Sequence, residues 1–250
     1  MVAITGAGTG IGRAAAQAFF DAGAQLVLNG RREDVLVRAA SELDPGGTRV
    51  AVVAGDIGTA VVGARLASVA RERFGGLDVL VNAAGIFRPQ PFAATTEGDL
   101  DGYLHTIVKG TFLATQAVLP LFEGRGGGSI VNVGSMWAIQ AIGATPSAAY
   151  SAAKAGVHAL THNLAIELAP RQIRVNTVAP AIVRTPVYES FLPADAIDAT
   201  LASFAPFHPL GRIGEPRDIV EAIVFLAGPR AAWITGVILP VDGGVMAGRN

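Results

Sequence analysis

The chain has 250 residues, of which 51% are hydrophobic and 16% are charged, with a formal net charge of -1 and no cysteine. A nearly neutral chain lacks both the basic face that binds nucleic acid and the polybasic element that an anionic membrane attracts, so neither partner is expected. The missing cysteines exclude a disulfide framework, a thiolate nucleophile and a cysteine-ligated metal, and they agree with a reducing, cytoplasmic location.

Short aliphatic runs alternate with longer segments of helical periodicity along the whole chain. The chain opens on such a run, without the basic segment of a signal peptide, and no apolar run reaches the ~18 residues of a membrane span. The predicted strands are Val2–Thr5, Gln25–Asn29, Arg49–Val53, Asp78–Asn82, Ser129–Gly134, Arg174–Ala179 and Val237–Val241. The predicted helices are Gly12–Ala22, Glu33–Leu43, Ala60–Phe74, Asp99–Leu121, Ala149–Leu168 and Pro216–Ala227. This alternation predicts a doubly wound α/β fold, a single domain over residues 1–250 with about seven parallel strands and helices on both faces.

One long stretch, Ala181–Arg212, has neither the aliphatic run of a strand nor the periodicity of a helix. Long segments of this kind in a compact domain are often lids or binding loops. We therefore predict an irregular segment that covers a binding site.

The first strand runs directly into a glycine-rich segment, Thr5–Gly12, where a helix begins. Glycines allow a sharp turn and a close approach of a pyrophosphate to the helix N-terminus, whose free N–H groups favour anions. The spacing Gly6-x-x-x-Gly10-x-Gly12 differs from the common G-x-G-x-x-G fingerprint. In this strand-to-helix position it predicts a dinucleotide site, and the alternative is a purely structural turn.

The second strand ends in Asn29-Gly30-Arg31-Arg32, and the next acid, Glu33, lies in the following helix. An acid at this strand end binds the ribose 2′-hydroxyl of NAD, whereas an arginine accepts the 2′-phosphate of NADP. The sequence therefore favours NADP, with Arg31 as the phosphate partner and Arg32 as the second. Two solvated arginines, with NAD as the cofactor, are the alternative.

Tyr150 and Lys154 are spaced i and i+4, so they share one helix face. A free tyrosine with a pKa near ~10 is a poor acid–base group at neutral pH, and a nearby cation favours its phenolate. Ser135 follows the fifth predicted strand at the carboxyl edge, where open α/β sheets bind ligands. Its hydroxyl is placed to hold a substrate oxygen beside Tyr150.

Together these patterns resemble the short-chain dehydrogenase/reductase family, in its branch of roughly this length, which includes enzymes similar to 3-oxoacyl carrier-protein reductases and glucose dehydrogenases. The resemblance covers nearly the whole chain and rests on several motifs. They are Thr5-Gly6-x-x-x-Gly10-x-Gly12, Asn82-Ala83-Ala84-Gly85, Ser135, Tyr150-x-x-x-Lys154, Arg174-Val175-Asn176, Pro180 with Thr185, Gly211-Arg212 and Val241-Asp242-Gly243-Gly244.

The resemblance implies hydride transfer between nicotinamide and a ketone or secondary alcohol, in a homotetramer or homodimer. It implies Tyr150 as general acid–base, Lys154 as the group that lowers its pKa and binds the nicotinamide ribose, and Ser135 as the group that orients the substrate oxygen. Asp56 is expected at the adenine, and Asn82 at the cofactor and the sheet. The carboxamide is expected at the backbone near Ile182 and the hydroxyl of Thr185. The other implied cofactor contacts are Gly6, Thr9, Gly10, Ile11, Gly12, Ile57, Ala83, Gly85 and Pro180.

Two positions depart from the family pattern. Ile107 stands where an asparagine usually anchors a water that links the lysine to solvent, and Ala181 stands where a glycine is frequent. Isoleucine forms no side-chain hydrogen bond, so any proton relay must follow another route, and its neighbours His105 and Thr106 are expected to face elsewhere. A non-catalytic dinucleotide-binding protein is therefore the competing interpretation.

Other conspicuous side chains receive structural interpretations. His158 and His162 have a metal-compatible spacing but no third ligand, so we predict a helix surface or subunit contact and no metal site. His208 is expected to be a plain loop histidine, and Trp233 is expected to pack. Bulky apolar residues near Ser135 and in the long loop predict an apolar, bulky substrate. They are Met136, Trp137, Ile139, Ile142, Tyr188, Phe191, Leu192, Phe204 and Phe207.

Overall fold

The computed structural model describes residues 1–143 and 145–248. Within these residues, seven parallel strands form one sheet in the order β3-β2-β1-β4-β5-β6-β7. The strands are β1 Val2–Thr5, β2 Leu26–Gly30, β3 Val50–Ala54, β4 Val79–Asn82, β5 Gly128–Val133, β6 Ile173–Pro180 and β7 Ile238–Val241. The chain builds outward from β1 to β3 and then returns to β4, so the strand order reverses beside β1. The predicted doubly wound α/β fold is confirmed.

Helices cover both faces of this sheet. The α-helices of the described residues are α1 Gly10–Asp21, α2 Glu33–Leu43, α3 Ala60–Phe74, α4 Glu97–Tyr103, α5 Gly110–Glu123, α6 Ala148–Glu167, α7 Ala194–Ser203 and α8 Pro216–Ala227. Helix α1 packs beside α8, and α3 packs beside α5. Nowhere in residues 1–143 or 145–248 is a helix both long enough and apolar enough to span a membrane.

The strands are mainly aliphatic because both faces of the sheet are covered, and their polar residues, such as Asn82 and Asn132, are buried and hydrogen-bonded. In β1, Val2 and Ile4 belong to the core layer that also holds Phe19 and Ile223, whereas Ala3 belongs to the opposite layer. Successive side chains of a strand point to opposite faces, so a run without polar interruption fills two cores at once.

The predicted helix Asp99–Leu121 is wrong as a single element. Helix α4 begins earlier because Thr96 caps it: its Oγ1 accepts from the backbone N–H of Asp99, whose carboxylate accepts from the N–H of Thr96. A π-helical segment, Leu104–Lys109, then separates α4 from α5. Such segments insert an extra residue per turn and occur frequently at functional sites.

Two other predictions are corrected. The stretch Ala181–Arg212 is not irregular throughout, because it contains α7 and two short 3₁₀ turns, Pro186–Ser190 and Ala205–Phe207. Trp233, expected to pack, has a fully exposed side chain. Trp233 follows a 3₁₀ turn, Pro229–Ala231, at the protein surface. The local sequence pattern does not reveal this exposed position.

Candidate active site

A cavity of about 1060 Å³ opens at the carboxyl edge of the sheet. Its walls are the segments that follow β1 to β6, as expected where parallel strands end beside a reversal of strand order. Most of the residues singled out from the sequence line it. They are Gly6, Thr9, Gly10, Ile11, Gly12, Arg31, Arg32, Asp56, Ile57, Ala83, Gly85, Ser135, Tyr150, Lys154, Pro180, Ala181 and Thr185.

Asn82 and Ile182 lie behind this wall. The Asn82 amide donates to Thr115 Oγ1 at 3.2 Å and to Asn132 Oδ1 at 2.9 Å, so its side chain ties β4 to β5 and α5. The Ile182 side chain is buried in an apolar cluster, and its carbonyl accepts from the N–H of Gly214 at 2.9 Å. Val183, one residue later, lines the cavity instead.

The glycine loop requires its glycines for two different reasons. Gly6 and Gly10 have positive φ angles of 67° and 56°, which side chains of L-residues rarely adopt. A Cβ on Gly6 would lie 2.7 Å from the backbone of Ala84, and one on Gly12 would lie 2.3 Å from the carbonyl oxygen of Gly6. Helix α1 begins at Gly10 with no side-chain cap from Thr9, so its first N–H groups are available to an anion.

The end of β2 presents two cations and no acid. Arg31 and Arg32 are exposed and line the cavity, and Arg32 precedes the first residue of α2. The side chain of Asn29 turns inward, where its amide donates to the carbonyls of Val53 and Gly55 at 2.9 and 3.2 Å. The charged groups at this strand end that line the cavity are the guanidinium groups of Arg31 and Arg32, and guanidinium groups bind phosphate well.

Ser135, Tyr150 and Lys154 meet at the other end of the cavity. Ser135 lies just after β5, and Tyr150 and Lys154 lie one turn apart in α6. Ser135 hydrogen-bonds the Tyr150 phenol, and its Oγ also accepts from the N–H of Trp137 at 3.2 Å. Lys154 Nζ donates to the carbonyl of Val133 at 2.6 Å and lies 5.8 Å from the centre of the Tyr150 ring.

Burial dominates the protonation of this group. It raises the pKa of Tyr150 to about 12, against the opposing hydrogen bond from Ser135, and it lowers the pKa of Lys154 to about 8. The pKa of Tyr150 is thus raised, whereas the family resemblance implies that Lys154 lowers it. The physical reason is that the ammonium is directed at the carbonyl of Val133, while the surroundings of the phenol disfavour its charged form.

An aromatic wall surrounds the reacting end. Phe87 meets Tyr150 edge-on with ring centres 4.8 Å apart, and it also contacts Trp137 and Phe191 at 6.3 and 5.6 Å. The sequence reasoning missed Phe87, although its position two residues after the Asn82–Gly85 motif was a usable signal. Tyr188 lines the cavity, whereas Ile142, Phe204 and Phe207 pack in the cluster behind it, and Ile139 is exposed.

The π-helical segment directs three neighbouring side chains into three different surroundings. Ile107 is buried in an apolar cluster with Tyr103, Ala153 and Val157, beneath Tyr150. Thr106 lines the cavity and His105 contacts Asp56, so both side chains face away from the Ile107 cluster, as expected. A regular α-helical projection does not hold across a π turn.

Among residues 1–143 and 145–248, no group of three or more His, Cys, Asp or Glu side chains lies close enough to hold a metal ion. His158, predicted to lie at a surface, is instead buried behind Ser135, while His162 is exposed. His208 lies outside the large cavity, buried, with its Nδ1 2.9 Å from the carbonyl of Phe204.

Comparison with known proteins agrees with this geometry. Residues 6–246 match the family model described as enoyl-(acyl carrier protein) reductase. The chain is 36% identical over 246 residues to a 3-oxoacyl-[acyl-carrier-protein] reductase of Thermotoga maritima, covering 97% of this chain and 96% of the relative. It is 39% identical over 249 residues to a cis-4-hydroxycyclohexanecarboxylate dehydrogenase of Sinomonas cyclohexanicum, covering 98% and 95%.

A solved structure described as ElxO with NADP bound superposes with a TM-score of 0.89 at 27% identity, covering 99% of this chain and 98% of that chain. The glycine loop, the Ser135–Tyr150–Lys154 group and these full-length relatives agree with one another. The chain therefore belongs to the short-chain dehydrogenase/reductase family, whose members are oxidoreductases that act on CH–OH and C=O groups.

Proposed function

We propose that this protein is an NADP-dependent oxidoreductase that transfers a hydride between the nicotinamide and a ketone or secondary alcohol, with Tyr150 as general acid–base. The proposal rests on one observation above all. Ser135, Tyr150 and Lys154 line the same cavity as the glycine loop, so a dinucleotide and an acid–base group share one enclosure. We further propose that residues 1–250 act as one domain.

The cavity would accommodate a dinucleotide because the loop that lines its base carries no side chain at Gly6, Gly8, Gly10 and Gly12. The first turn of α1, from Gly10, would hold the pyrophosphate, and Asp56 would face the adenine. Thr185 lies against Gly10, where an added Cβ would come within 3.3 Å of its side chain, and its hydroxyl would hold the nicotinamide carboxamide. When bound, the nicotinamide supplies or accepts the hydride.

The chain's own residues would bind the substrate, orient its oxygen atom and give that oxygen a proton. The Ser135 hydroxyl would hold the substrate oxygen, and the Tyr150 phenol would donate its proton to that oxygen during reduction. Burial raises the pKa of Tyr150 to about 12, so the phenol is protonated at neutral pH and carries the proton that reduction requires, although a lower pKa would make it a stronger acid. Lys154 would resupply the phenol with a proton from its ammonium.

NADP is favoured over NAD by the two guanidinium groups at the end of β2. Arg31 and Arg32 line the cavity there, and the Asn29 amide is engaged with the carbonyl of Val53. A bound 2′-phosphate would form charge-assisted hydrogen bonds to Arg31. The NADP-bound ElxO structure supports the same choice by similarity. NAD is the alternative within the same reaction class.

The substrate is proposed to be apolar and bulky. Phe87, Trp137, Tyr188 and Phe191 form contacting aromatic pairs beside Tyr150. Pockets lined by aromatic side chains bind ring or chain hydrocarbons mainly by burying apolar surface, and they offer few polar contacts. The relative named for cis-4-hydroxycyclohexanecarboxylate supports an alicyclic alcohol as one member of the test panel.

The competing function, dinucleotide binding without catalysis, is favoured by one observation. Ile107 fills an apolar cluster under Tyr150, where the family pattern has a hydrogen-bonding side chain. If the relay through this position is needed, Ile107→Asn should restore turnover to a protein that binds cofactor but reacts with nothing. If the present chain already turns over, this competing function is excluded.

The assembly is proposed to be a homotetramer or homodimer with small-molecule substrates, and neither nucleic acid nor membrane as partner. Exposed apolar side chains at Phe112, Ile166 and Trp233 support self-association, since large exposed apolar groups mark interaction surfaces. The predicted cytoplasmic location rests on the absence of cysteine from the sequence.

The test is the consumption of NADPH and of NADH, followed by absorbance, against small, alicyclic, aromatic, sugar and acyl-thioester carbonyl compounds. We expect turnover with NADPH on hydrophobic ketones. Activity on sugars together with inactivity on every hydrophobic ketone would contradict the substrate proposal. Preference for NADH would contradict the cofactor proposal.

A further inference from the structure

The loop between β3 and α3 packs tightly against the π-helical segment through two glycines. A Cβ on Gly58 would lie 2.3 Å from Nε2 of His105, and a Cβ on Gly110 would lie 2.9 Å from the side chain of Ile57. Neither glycine has a positive φ angle. Glycine is therefore required at both positions because a side chain would clash with its neighbour. At Gly58 that neighbour is the His105 ring.

The His105 ring reaches the Asp56 carboxylate across this gap. Nε2 of His105 lies 3.1 Å from Oδ2 of Asp56, while Oδ1 accepts from the backbone N–H of Gly58 at 2.9 Å. An ionised carboxylate only accepts, so Nε2 carries the hydrogen. The carboxylate is thus held at both oxygens, by the backbone on one side and by the π segment on the other.

Asp56 keeps accepting capacity for a third partner. Its side chain is 41% exposed, and the residue lines the large cavity, on the same side as Arg31. Burial raises its pKa, but the hydrogen bonds from Gly58 and His105 and the charge of Arg31 outweigh this effect, and the pKa of Asp56 is lowered overall. The carboxylate is therefore ionised at neutral pH, and the group that it meets in the cavity must be a hydrogen-bond donor.

Resting on the proposed nucleotide function, we propose that His105 is a positioning residue that holds the Asp56 carboxylate in place to accept a hydrogen bond from the exocyclic amine of the cofactor's adenine. A half-exposed aspartate otherwise samples several rotamers, and ordering it on binding costs affinity. The His105 contact removes part of that cost before the nucleotide arrives. His105 itself does not need to touch the nucleotide.

A different interpretation is an ordinary surface ion pair. The His105 side chain is 37% exposed, and pairs of this exposure contribute little to stability. The two interpretations differ in a measurable way. A surface pair has no influence on which base the protein prefers, whereas a positioning contact supports the adenine amine selectively.

The experiment measures dissociation constants by isothermal titration calorimetry for NADPH and for its analogue with hypoxanthine in place of adenine. In the analogue a carbonyl oxygen replaces the amine, so it offers Asp56 no donor at that atom. For His105→Ala we expect NADPH binding to weaken by about fivefold, which corresponds to the loss of one hydrogen bond, and analogue binding to change by less than about twofold. Asp56→Asn should abolish the preference for adenine.

Two further variants complete the test. His105→Gln keeps an amide donor and should restore NADPH affinity to within about twofold of the original chain. The control is His162→Ala, which removes an exposed histidine of α6 and should change neither constant. In an Asp56→Asn background, His105→Ala should have no additional effect, because it acts only through that carboxylate.

Each contrary result has a distinct meaning. If the original chain binds neither nucleotide, the proposed function fails and this inference fails with it. If the chain binds NADPH but His105→Ala leaves its affinity unchanged, or weakens both nucleotides equally, only the role of His105 is overturned. A His105→Gln variant as weak as His105→Ala on both nucleotides also overturns it.

Discussion

Nε2 of His158 accepts a hydrogen bond from the backbone N–H of Ser135 at 3.4 Å. The ring lies against Gly134, where a Cβ would come within 2.3 Å of the same nitrogen. Only the neutral imidazole can accept in this way. Burial, together with the charges of Lys154 and His162, lowers the pKa of His158 to about 4, so the accepting form persists well below neutral pH.

This contact predicts a specific acid sensitivity. The folded chain resists protonation of His158 down to about pH 4, whereas an unfolded chain binds that proton near the ordinary value of 6.5. Stability is therefore fully present above about pH 6.5 and is lost as the pH falls toward 4. We expect the His158 contribution to fall by on the order of 3 kcal/mol across this window.

The measurement is urea denaturation of the original chain and of His158→Gln at several pH values. The glutamine carbonyl can still accept from Ser135 but does not titrate, so the variant should lose less stability in acid. His162→Gln, at an exposed position of the same helix, should behave like the original chain. Parallel pH curves for the original chain and His158→Gln would contradict the prediction.

Tyr150→Phe should reduce kcat by about 10²- to 10⁴-fold, the usual contribution of a general acid–base group. The ring that meets Phe87 at 4.8 Å is retained, so the wall of the cavity should stay intact. We therefore expect NADPH affinity, measured by calorimetry, to change little. Tyr188→Phe, which removes a hydroxyl from the same cavity, should keep most of the activity, and retained activity in Tyr150→Phe would remove Tyr150 from the proposed role.

Lys154→Met should stabilise the protein while inactivating it. Burial lowers the pKa of Lys154 from 10.5 to about 8, so the buried charge is unfavourable throughout the range below pH 8. Methionine removes that penalty but leaves the carbonyl of Val133 without its donor. We expect a net gain of about 1–2 kcal/mol in the free energy of unfolding at pH 7.

The pH dependence separates this effect from simple repacking. The folded pKa is the lower one, so the penalty in the original chain is relieved as pH rises from about 8 to the ordinary 10.5. The advantage of Lys154→Met should therefore shrink over that range in urea titrations. A variant that is less stable than the original chain at pH 7 would show that the hydrogen bond to Val133 outweighs the burial of charge.

Arg31→Ala should weaken NADPH much more than NADH. A charge-assisted hydrogen bond to a phosphate contributes more than a neutral one, so we expect a loss of about tenfold or more for NADPH and a change within about twofold for NADH. Arg38→Ala, at an exposed position further along α2, is the control. An equal loss for both cofactors would point to a structural role for Arg31. The NADPH effect should also diminish as salt is raised.

Much of the fold follows from the sequence because its signals are local and repeated. Helices α2, α3 and α8 begin and end where the periodicity predicts, and each strand lies within one residue of its predicted bounds. Aliphatic runs buried on both faces have no competing interpretation once helices separate them. Ser135, Tyr150 and Lys154 were likewise predictable, since parallel strands bring their carboxyl ends to one edge.

Other features were settled only by packing between distant segments. The π turn at Leu104–Lys109 leaves no local signature, yet it decides that His105 reaches Asp56 and that Ile107 lies under Tyr150. Ile182 and Asn82 belong to the family pattern, but the side chain of Ile182 is buried in an apolar cluster and that of Asn82 bonds to Asn132 of β5, so neither lines the cavity.

The amino-acid sequence by itself determined the parallel sheet, the glycine loop and the shared helix face of Tyr150 and Lys154, because each depends on short spacing and on the chemistry of the residues involved. The tertiary structure alone decided that His158 is buried and Trp233 exposed, which the sequence reasoning had the other way round. It also decided the direction of the Tyr150 pKa. Burial and desolvation depend on what other segments place around a side chain, and no local pattern contains that information.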